Sequence, residues 1–216
     1  MRTGELMDRA WRSAARAEGG RAVLGLAGPP GSGKSTLAEA LVEGLRGRHG
    51  ADAAAYVPLD GFHLSNAQLD RLGLAARKGS PPTFDVHGYA ALLRRLVLGP
   101  DHDVYVPDFD RTLDEPVAAR HVVRPGARLV VTEGNYLACD LPGWPEARGP
   151  IDELWYVEAS SDELRRRLVE RQLAGGRTVE EAREWVRSND MPNAELVEAS
   201  KGAACVRLSF RWSGRE

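Results

Sequence analysis

Residues 28–36 read GPPGSGKST and follow directly on the apolar run AVLGLA at residues 22–27. This stretch contains the full phosphate-loop pattern G-x-x-x-x-G-K-[ST], placed between a strand pattern and a helix pattern as that motif requires. Glycines let backbone N–H groups turn inward around a phosphate, and the N-terminus of the following helix adds a favourable dipole. The residues that we expect to bind the nucleotide are Gly28, Gly31, Ser32, Gly33, Lys34, Ser35 and Thr36.

Within this motif, Lys34 is predicted to act in catalysis by reaching the β- and γ-phosphates, and Ser35 is predicted to ligate Mg²⁺. Such a magnesium site normally takes a second carboxylate from the end of a neighbouring strand. Glu133 stands where the apolar run of RLVVTEG, residues 128–134, comes to its end. The complete motif therefore leads us to expect ATP with Mg²⁺. The alternative for Glu133 is an exposed acid at a strand end.

Short apolar runs alternate with helical patterns along the whole chain. The predicted strands are residues 22–27, 53–60, 128–134, 153–159 and 205–210, with a short strand or extended segment at 103–109. Such alternation implies a parallel sheet that is covered on both faces. We therefore expect an α/β P-loop NTPase fold, a five-stranded core parallel sheet with helices on both faces, in a single domain over residues 1–216.

Composition narrows the possible partners. The chain has 216 residues, 43% of them hydrophobic and 28% charged, with a formal net charge of -2. A strong nucleic-acid binder is usually more basic, so no nucleic-acid partner is expected. No apolar run approaches the roughly 20 residues that cross a bilayer, so no membrane partner is expected. Cys139 and Cys205 lack metal-ligand spacing, which fits reduced thiols in a cytoplasmic protein.

Asp60 ends the predicted strand YVPLD and begins the loop DGFHLS. The end of that strand can lie beside the phosphate loop, and a carboxylate there can accept a proton from an attacking hydroxyl group. An enzyme that transfers a phosphoryl group to an acceptor needs such a residue, whereas phosphate binding alone does not. The alternative is an aspartate that caps a turn, since Asp-Gly is a strong turn signal.

Several segments in fixed order resemble one family. They are GPPGSGKS, LDGFH, SPPTFDVH, VYVPDFDR, VVTEG and RRRLVERQLAGGR, which together run from Gly28 to Arg177. They resemble the P-loop small-molecule kinases that include uridine kinase, bacterial-type pantothenate kinase and phosphoribulokinase. DGFHLSN, VPDFDRTLDEP, EGNYL and NDMPNA are similar to the bacterial subgroup labelled fructose-transport-system kinase or nucleotide kinase-like.

The resemblance implies further roles. Asp60 would be the general base, and an arginine-rich helical lid at about residues 162–177 would carry Arg167 and Arg171 as a catalytic clamp on the transferring phosphoryl group. The residues that would bind the acceptor are Asp85, Asp108, Asp110, Arg111 and Arg177. Relatives form dimers or tetramers, so a homodimer is compatible with the resemblance, although the sequence shows no interface signal.

The resulting hypothesis is an ATP-dependent kinase that phosphorylates a hydroxyl group of a small metabolite, with sugar, nucleoside and pantothenate-like acceptors left open. The alternative is a P-loop NTPase or nucleotide-binding regulatory protein without transfer to a small molecule. Against it, the sequence has no N-K-x-D guanine motif. His63 and His87 are equally compatible with contact to the acceptor and with a structural role. Asp190 is predicted to cap a helix that has Pro192 in its first turn.

Overall fold

A five-stranded parallel sheet forms the centre of the computed structural model, which describes residues 3–16 and 20–209. The strands of the chain are β1 Ala22–Ala27, β2 Ala54–Pro58, β3 Val104–Asp110, β4 Glu115–Val123, β5 Leu129–Glu133, β6 Glu153–Glu158 and β7 Val206–Ser209. The order across the sheet is β2-β5-β1-β6-β7, and all four pairings are parallel. The predicted five-stranded sheet is therefore confirmed; Phe210, the predicted end of the last strand, lies outside the described residues.

Eight α-helices accompany these strands within the described part of the chain. They are α1 Thr3–Arg16, α2 Lys34–His49, α3 Asn66–Leu72, α4 Val86–Val97, α5 Trp144–Arg148, α6 Ser161–Ala174, α7 Val179–Trp185 and α8 Met191–Glu198. None of the helices in residues 3–16 and 20–209 combines the length and the apolar character needed to cross a membrane.

Helices cover both faces of the sheet, because successive strand residues point to opposite sides. On β1, Leu24 and Leu26 join a buried cluster with residues of α1 and α2, whereas Val23 joins the cluster that contains α4 and α5. A third, smaller cluster joins Leu164 and Leu168 of α6 to the α7–α8 region. The predicted arginine-rich helix therefore exists as α6, while its movement as a lid stays a prediction.

The segment predicted at residues 103–109 is a strand, but it lies outside the main sheet. It is β3, which pairs with β4 in an antiparallel hairpin. The strand β4 was not predicted, because its residues are mostly half-buried or exposed and form no continuous apolar run. This hairpin packs against the turn after β2.

Asp60 was predicted to be the last residue of a strand, but the structure places it in this turn. The strand β2 ends at Pro58, and Asp60 lies in a 3-10 turn, Leu59–Phe62. Gly61 is required there by close packing: a Cβ atom on it would lie 2.4 Å from the carbonyl oxygen of Pro107 in β3. The glycine of the DGFH motif thus lets the turn lie against the hairpin and fixes the position of Asp60.

A helix, α8, does begin directly after Asp190 with Pro192 in its first turn, as predicted, but the prediction that Asp190 caps it is wrong. Residues Val186–Asp190 form a π-helical segment that joins α7 to α8 without a break, and the Met191 N–H donates to the carbonyl of Val186. Asp190 has helical backbone angles and its side chain makes no cap hydrogen bond. Pro192 has no N–H to donate, so it is readily accommodated where the helical hydrogen-bond pattern changes.

Candidate active site

The phosphate loop lies at the carboxyl end of β1. A Cβ atom on Gly28 would lie 2.4 Å from the carbonyl oxygen of Val157, so only glycine fits at this position. Ser32 is buried, and among the described residues its hydroxyl has no hydrogen-bond partner. A buried polar atom without a partner is costly, so a free hydroxyl in this loop indicates a site built to bind a polar ligand.

Lys34 is buried at the start of α2. Its Nζ atom donates to the Pro29 carbonyl (3.1 Å) and to the Asn135 Oδ1 atom (2.7 Å). Burial lowers the pKa of Lys34, and the carboxylates of Glu133 and Asp60 counteract this effect by favouring the charged amine. The two carboxylates thus offset part of the cost of burying this amine in the phosphate loop.

Glu133 is the last residue of β5 and is only 3% exposed. Burial, with the nearby charge of Asp60, raises the pKa of Glu133 to about 7, while Lys34 and a hydrogen bond from Tyr56 act in the opposite direction. The Tyr56 hydroxyl lies 3.0 Å from the Glu133 Oε1 atom, and Ser35 also hydrogen-bonds to this carboxylate. A cation bound beside Glu133 would favour the charged form of its carboxyl group.

These residues fit Mg²⁺. Within residues 3–16 and 20–209, no three His, Cys, Asp or Glu side chains form a metal-binding group. Mg²⁺ needs none, since it usually binds one or two protein oxygens and takes its other ligands from phosphates and water. Ser35 and Glu133 supply such oxygens beside a loop with a free buried hydroxyl.

Two cavities meet at Asp60. The phosphate cavity, of about 480 Å³, has residues 30, 31 and 33–36 of the loop in its wall, together with Glu133 and Arg167, whereas Gly28 and Ser32 do not line it. The second cavity, of about 770 Å³, also has Asp60 in its wall. The residues that line both are Pro30, Asp60, Arg111, Asn135 and Arg171. Asp60 therefore faces both the phosphates and any molecule bound in the second cavity.

Two arginines of α6 face the phosphate loop, as their spacing predicted. Arg167 donates to the Gly31 carbonyl (3.0 Å) and pairs with Glu163. Arg171 lines both cavities, and among the described residues its guanidinium has no hydrogen-bond or ion-pair partner. Arg166 instead pairs with Glu170 on the exposed side. Of these residues, Arg171 is the one free to bind an incoming charge.

The predicted acceptor residues divide into two groups. Arg111 and Arg177 line the second cavity, and Arg111 lies 3.6 Å from the Asp60 Oδ2 atom. The three predicted acids, by contrast, are not among the residues of its wall. The structure does not bring Asp85, Asp108 and Asp110 to the site.

The reason is that these three carboxylates hold local structure. Asp85 caps α4 by accepting the Gly88 N–H. Asp108 accepts from Phe109 N–H and lies 3.0 Å from the His121 ring. Asp110 accepts from the N–H groups of the next turn and pairs with Arg120 of β4. Any role in acceptor binding stays a prediction.

The two histidines also differ. His63 lines the second cavity between the rings of Phe84 and Phe109, at centroid distances of 4.0 and 4.9 Å. Burial lowers the pKa of His63, which favours the neutral ring. His87 is exposed and lies beside Gly143, outside the wall of that cavity.

Several wall residues of the second cavity were not predicted. They are Asn66, Lys78, Asp114, Asn135, Gln172, Trp185, Asp190 and Asn193. Asn135 had a sequence signal, since it follows Glu133 and Gly134 directly after a core strand. Asp190 and Asn193 stood out as the motif NDMPN without an assigned chemistry. The others gave no local signal, because loops and helices distant in sequence bring them together.

Comparison with known proteins places this geometry among kinases. A Schizosaccharomyces pombe protein named "Putative uridine kinase" is 37% identical over 184 residues, 82% of this chain and 78% of that protein. Escherichia coli YggC, named as uncharacterized, is 36% identical over 196 residues, 90% and 80% of the two chains. A solved "putative fructose transport system kinase" from Silicibacter sp. TM1040 superimposes with a TM-score of 0.87 at 36% identity, covering 96% and 99%. No family model matches the chain.

Proposed function

The chain belongs to the P-loop kinase family of the uridine kinase type, and from this premise we propose that it transfers the γ-phosphoryl group of ATP to a hydroxyl group of a small metabolite. One observation carries the proposal: a carboxylate, Asp60, stands between a phosphate cavity and a second cavity of about 770 Å³. That is the position a general base needs between donor and acceptor.

In this mechanism the residues of the phosphate cavity bind and orient the triphosphate of ATP. The loop N–H groups and Lys34 hold its β- and γ-phosphates. Ser35 and Glu133 would hold Mg²⁺, which neutralises phosphate charge when bound. Arg171 adds a positive charge at the boundary of the cavities, where negative charge spreads over the transferring group.

Asp60 acts on the acceptor side. It accepts the proton of the acceptor hydroxyl group as that oxygen forms its bond to the γ-phosphorus atom. The bond between the γ-phosphorus and the bridging oxygen of ADP breaks in the same in-line displacement. The products are ADP and a phosphorylated acceptor. Arg111, 3.6 Å from the Asp60 carboxylate, limits where that carboxylate can point.

The size of the second cavity favours transfer over hydrolysis. A hydrolytic P-loop protein needs room for one attacking water molecule, whose volume is about 30 Å³. The cavity next to Asp60 is about 770 Å³, within the range of sites for small-molecule ligands. This difference argues against a regulatory NTPase, which has no use for such a volume beside its phosphates.

The test is ADP release from ATP and Mg²⁺ over a panel of acceptors. The names of the relatives point to uridine and to fructose transport, so uridine and fructose enter the panel with other sugars, nucleosides and pantothenate. Acceptor-dependent ADP release supports the proposal. If ADP is released at the same rate whether or not an acceptor is present, for every acceptor of the panel, the protein is a hydrolase instead.

A matched pair of lysine variants links that activity to the site. Lys34→Ala should abolish turnover, since the phosphate-reaching charge is lost. Lys201→Ala removes a lysine that pairs with Glu198 on the surface, and it should leave turnover unchanged. Turnover that survives in Lys34→Ala contradicts the assignment of the phosphate site.

A further inference from the structure

Asp190 is a buried carboxylate that the phosphoryl-transfer mechanism does not use. It is 5% exposed, yet it lines the second cavity. Its Oδ2 atom accepts from the Gln172 Nε2 atom at 3.1 Å. Buried carboxylates need hydrogen-bond donors, and one amide leaves most of the acceptor capacity of this group available to a ligand.

Asn193 lies one turn further along the same helix and also lines this cavity. It is 9% exposed, and no hydrogen bond to its side chain is made by any residue in the described ranges 3–16 and 20–209. An amide that is nine-tenths buried and unpartnered has the two donors and the acceptor of a binding residue. Asp190 and Asn193 together thus present unused hydrogen-bonding groups to the same space.

The helix is shaped to direct these groups inward. The π-helical segment Val186–Asp190 adds a residue to a turn between α7 and α8, and such insertions are frequent at functional sites. Asn189, in the same segment, donates to the Lys78 carbonyl at 2.9 Å and ties the helix to the loop on the other side of the cavity. The position of the NDMPN segment relative to the cavity is therefore fixed from both sides.

The charges of the cavity indicate a neutral ligand. Lys78 pairs with Asp114 at 2.8 Å, and Arg111 lies beside Asp60. Arg171 also faces the phosphate cavity. The remaining charges of the wall, Arg177 and Asp190, are of opposite sign, and both side chains hydrogen-bond to Gln172. Apart from Arg171, the wall thus has three cationic and three anionic side chains, so an acceptor in this space meets no further charge that would require an acidic or basic group on it.

The aromatic rings of the cavity wall are already packed. Phe84 contacts His63, Phe109 contacts His63 and the Lys78 ammonium, and the Arg177 guanidinium lies 4.2 Å from the centre of the Trp185 ring. A nucleobase binds best on an open aromatic face. The wall of the second cavity therefore offers a ligand more hydrogen-bonding groups than open aromatic faces for stacking.

We infer that Asp190 and Asn193 bind the hydroxyl groups of a neutral, polyhydroxylated acceptor of the sugar or sugar-alcohol class, an inference that rests on the proposed kinase function. The Asp190 carboxylate accepts hydrogen bonds from hydroxyl groups, and the Asn193 amide donates to and accepts from their neighbours. Asp60 then receives the proton of the hydroxyl group that is nearest to the phosphate cavity.

The test uses the full chain and follows ADP release with fructose, ribose and sorbitol beside uridine and pantothenate. Acceptor-dependent release with a neutral polyhydroxylated compound, and none with uridine or pantothenate, supports the inference. Acceptance of uridine or pantothenate alone overturns it and leaves the proposed kinase function standing. If no compound raises ADP release, the kinase function fails and the inference fails with it.

Variants then test the two residues with the best acceptor. Asp190→Asn should raise the KM of the acceptor by about 10- to 100-fold, the range for a hydrogen bond to a charged group, with the KM of ATP unchanged. Glu195→Gln makes the same charge change on the exposed side of α8 and should alter neither constant. An unchanged acceptor KM in Asp190→Asn overturns the inference.

Binding of a non-hydrolysable ATP analogue, measured by calorimetry, reports whether each variant is folded. If Asp190→Asn fails this check, Asn193→Ala replaces it and should raise the acceptor KM by about 2- to 10-fold, the range for a neutral hydrogen bond. A folded Asn193→Ala with the acceptor KM of the unmodified chain then decides against the inference.

Discussion

Replacing Asp60 by asparagine separates a general base from an ion-pair partner. The substitution keeps the size of the side chain and removes its ability to accept a proton. Two interactions are lost at once: proton transfer from the acceptor, and the pair with Arg111 at 3.6 Å. The magnitudes of these losses differ enough for one experiment to tell them apart.

The ion pair is the weaker of the two. The Arg111 and Asp60 side chains are 60% and 28% exposed, and such solvent-exposed pairs contribute about 0–1 kcal/mol. Its loss changes a rate by about fivefold at most. A positioned general base contributes about 10²–10⁴ in rate, which is about 3–5.5 kcal/mol of barrier. A fall of acceptor-dependent kcat well beyond tenfold therefore measures the base.

The assay is ADP release with and without acceptor, beside calorimetry of ATP binding. In Asp60→Asn we expect the acceptor-dependent kcat to fall by about 10²–10⁴ and ATP to bind about as well, since a carboxylate does not attract phosphates. Background hydrolysis should change less. Asp101→Asn, on a fully exposed aspartate, is the control. An acceptor-dependent kcat within fivefold of the unmodified chain would falsify the role of Asp60 as base.

Three further variants test other parts of the structure. Arg171→Ala should lower kcat by about 10- to 100-fold with little change in KM, because the charge of Arg171 acts on the transition state. The control, Arg166→Ala on the exposed side of α6, should keep full kcat. Equal effects of the two substitutions on kcat would mean that another residue clamps the phosphoryl group. Gly61→Ala places a Cβ atom against the backbone of β3 and should lower the free energy of unfolding by about 1–3 kcal/mol in urea titrations, with a loss of turnover. Its control is Gly47→Ala in α2, where an added Cβ meets nothing within 4 Å, and equal stability of the two variants would contradict the close packing. Burial lowers the pKa of His63, so the unfolded chain binds more protons there and stability is lost as the pH falls below the ordinary value of this group. The free energy of unfolding of His63→Phe should therefore fall less than that of the unmodified chain as the pH is lowered from about 7.5 to 5.5. The measurement is the urea unfolding midpoint of each protein across this pH range, and an equal fall of the two midpoints would contradict the expectation.

The sequence was sufficient to locate the phosphate site, because that site is local. Its glycines, lysine and serine lie in nine consecutive residues, and the strand before and the helix after them are set by contiguous apolar patterns. Glu133 was predicted for a related reason: an apolar strand ends at it, and the carboxyl ends of parallel strands meet at one edge of a sheet. The structure places it beside Ser35, while its role as a metal ligand stays a prediction.

The acceptor side was only partly predictable. Arg111 and Arg177 reach the second cavity as expected, whereas Asp85, Asp108 and Asp110 do not line it. From the sequence, an acid in a loop that binds a ligand looks the same as an acid that caps a helix or a hairpin turn. Only the backbone N–H groups that surround each carboxylate decide between these roles.

The sequence by itself thus determined the fold class, the phosphate loop and its two candidate metal ligands, since each depends on neighbours along the chain. Tertiary structure decided the strand order, the hairpin of β3 and β4, and the wall of the second cavity. The NDMPN segment shows why. Each residue of an α-helix advances the side-chain direction by about 100°, so the residue that a π-helical segment adds changes which side chains face inward. No local pattern specifies that rotation; it depends on packing between α6, α8 and the loop at Lys78, which are far apart in the chain.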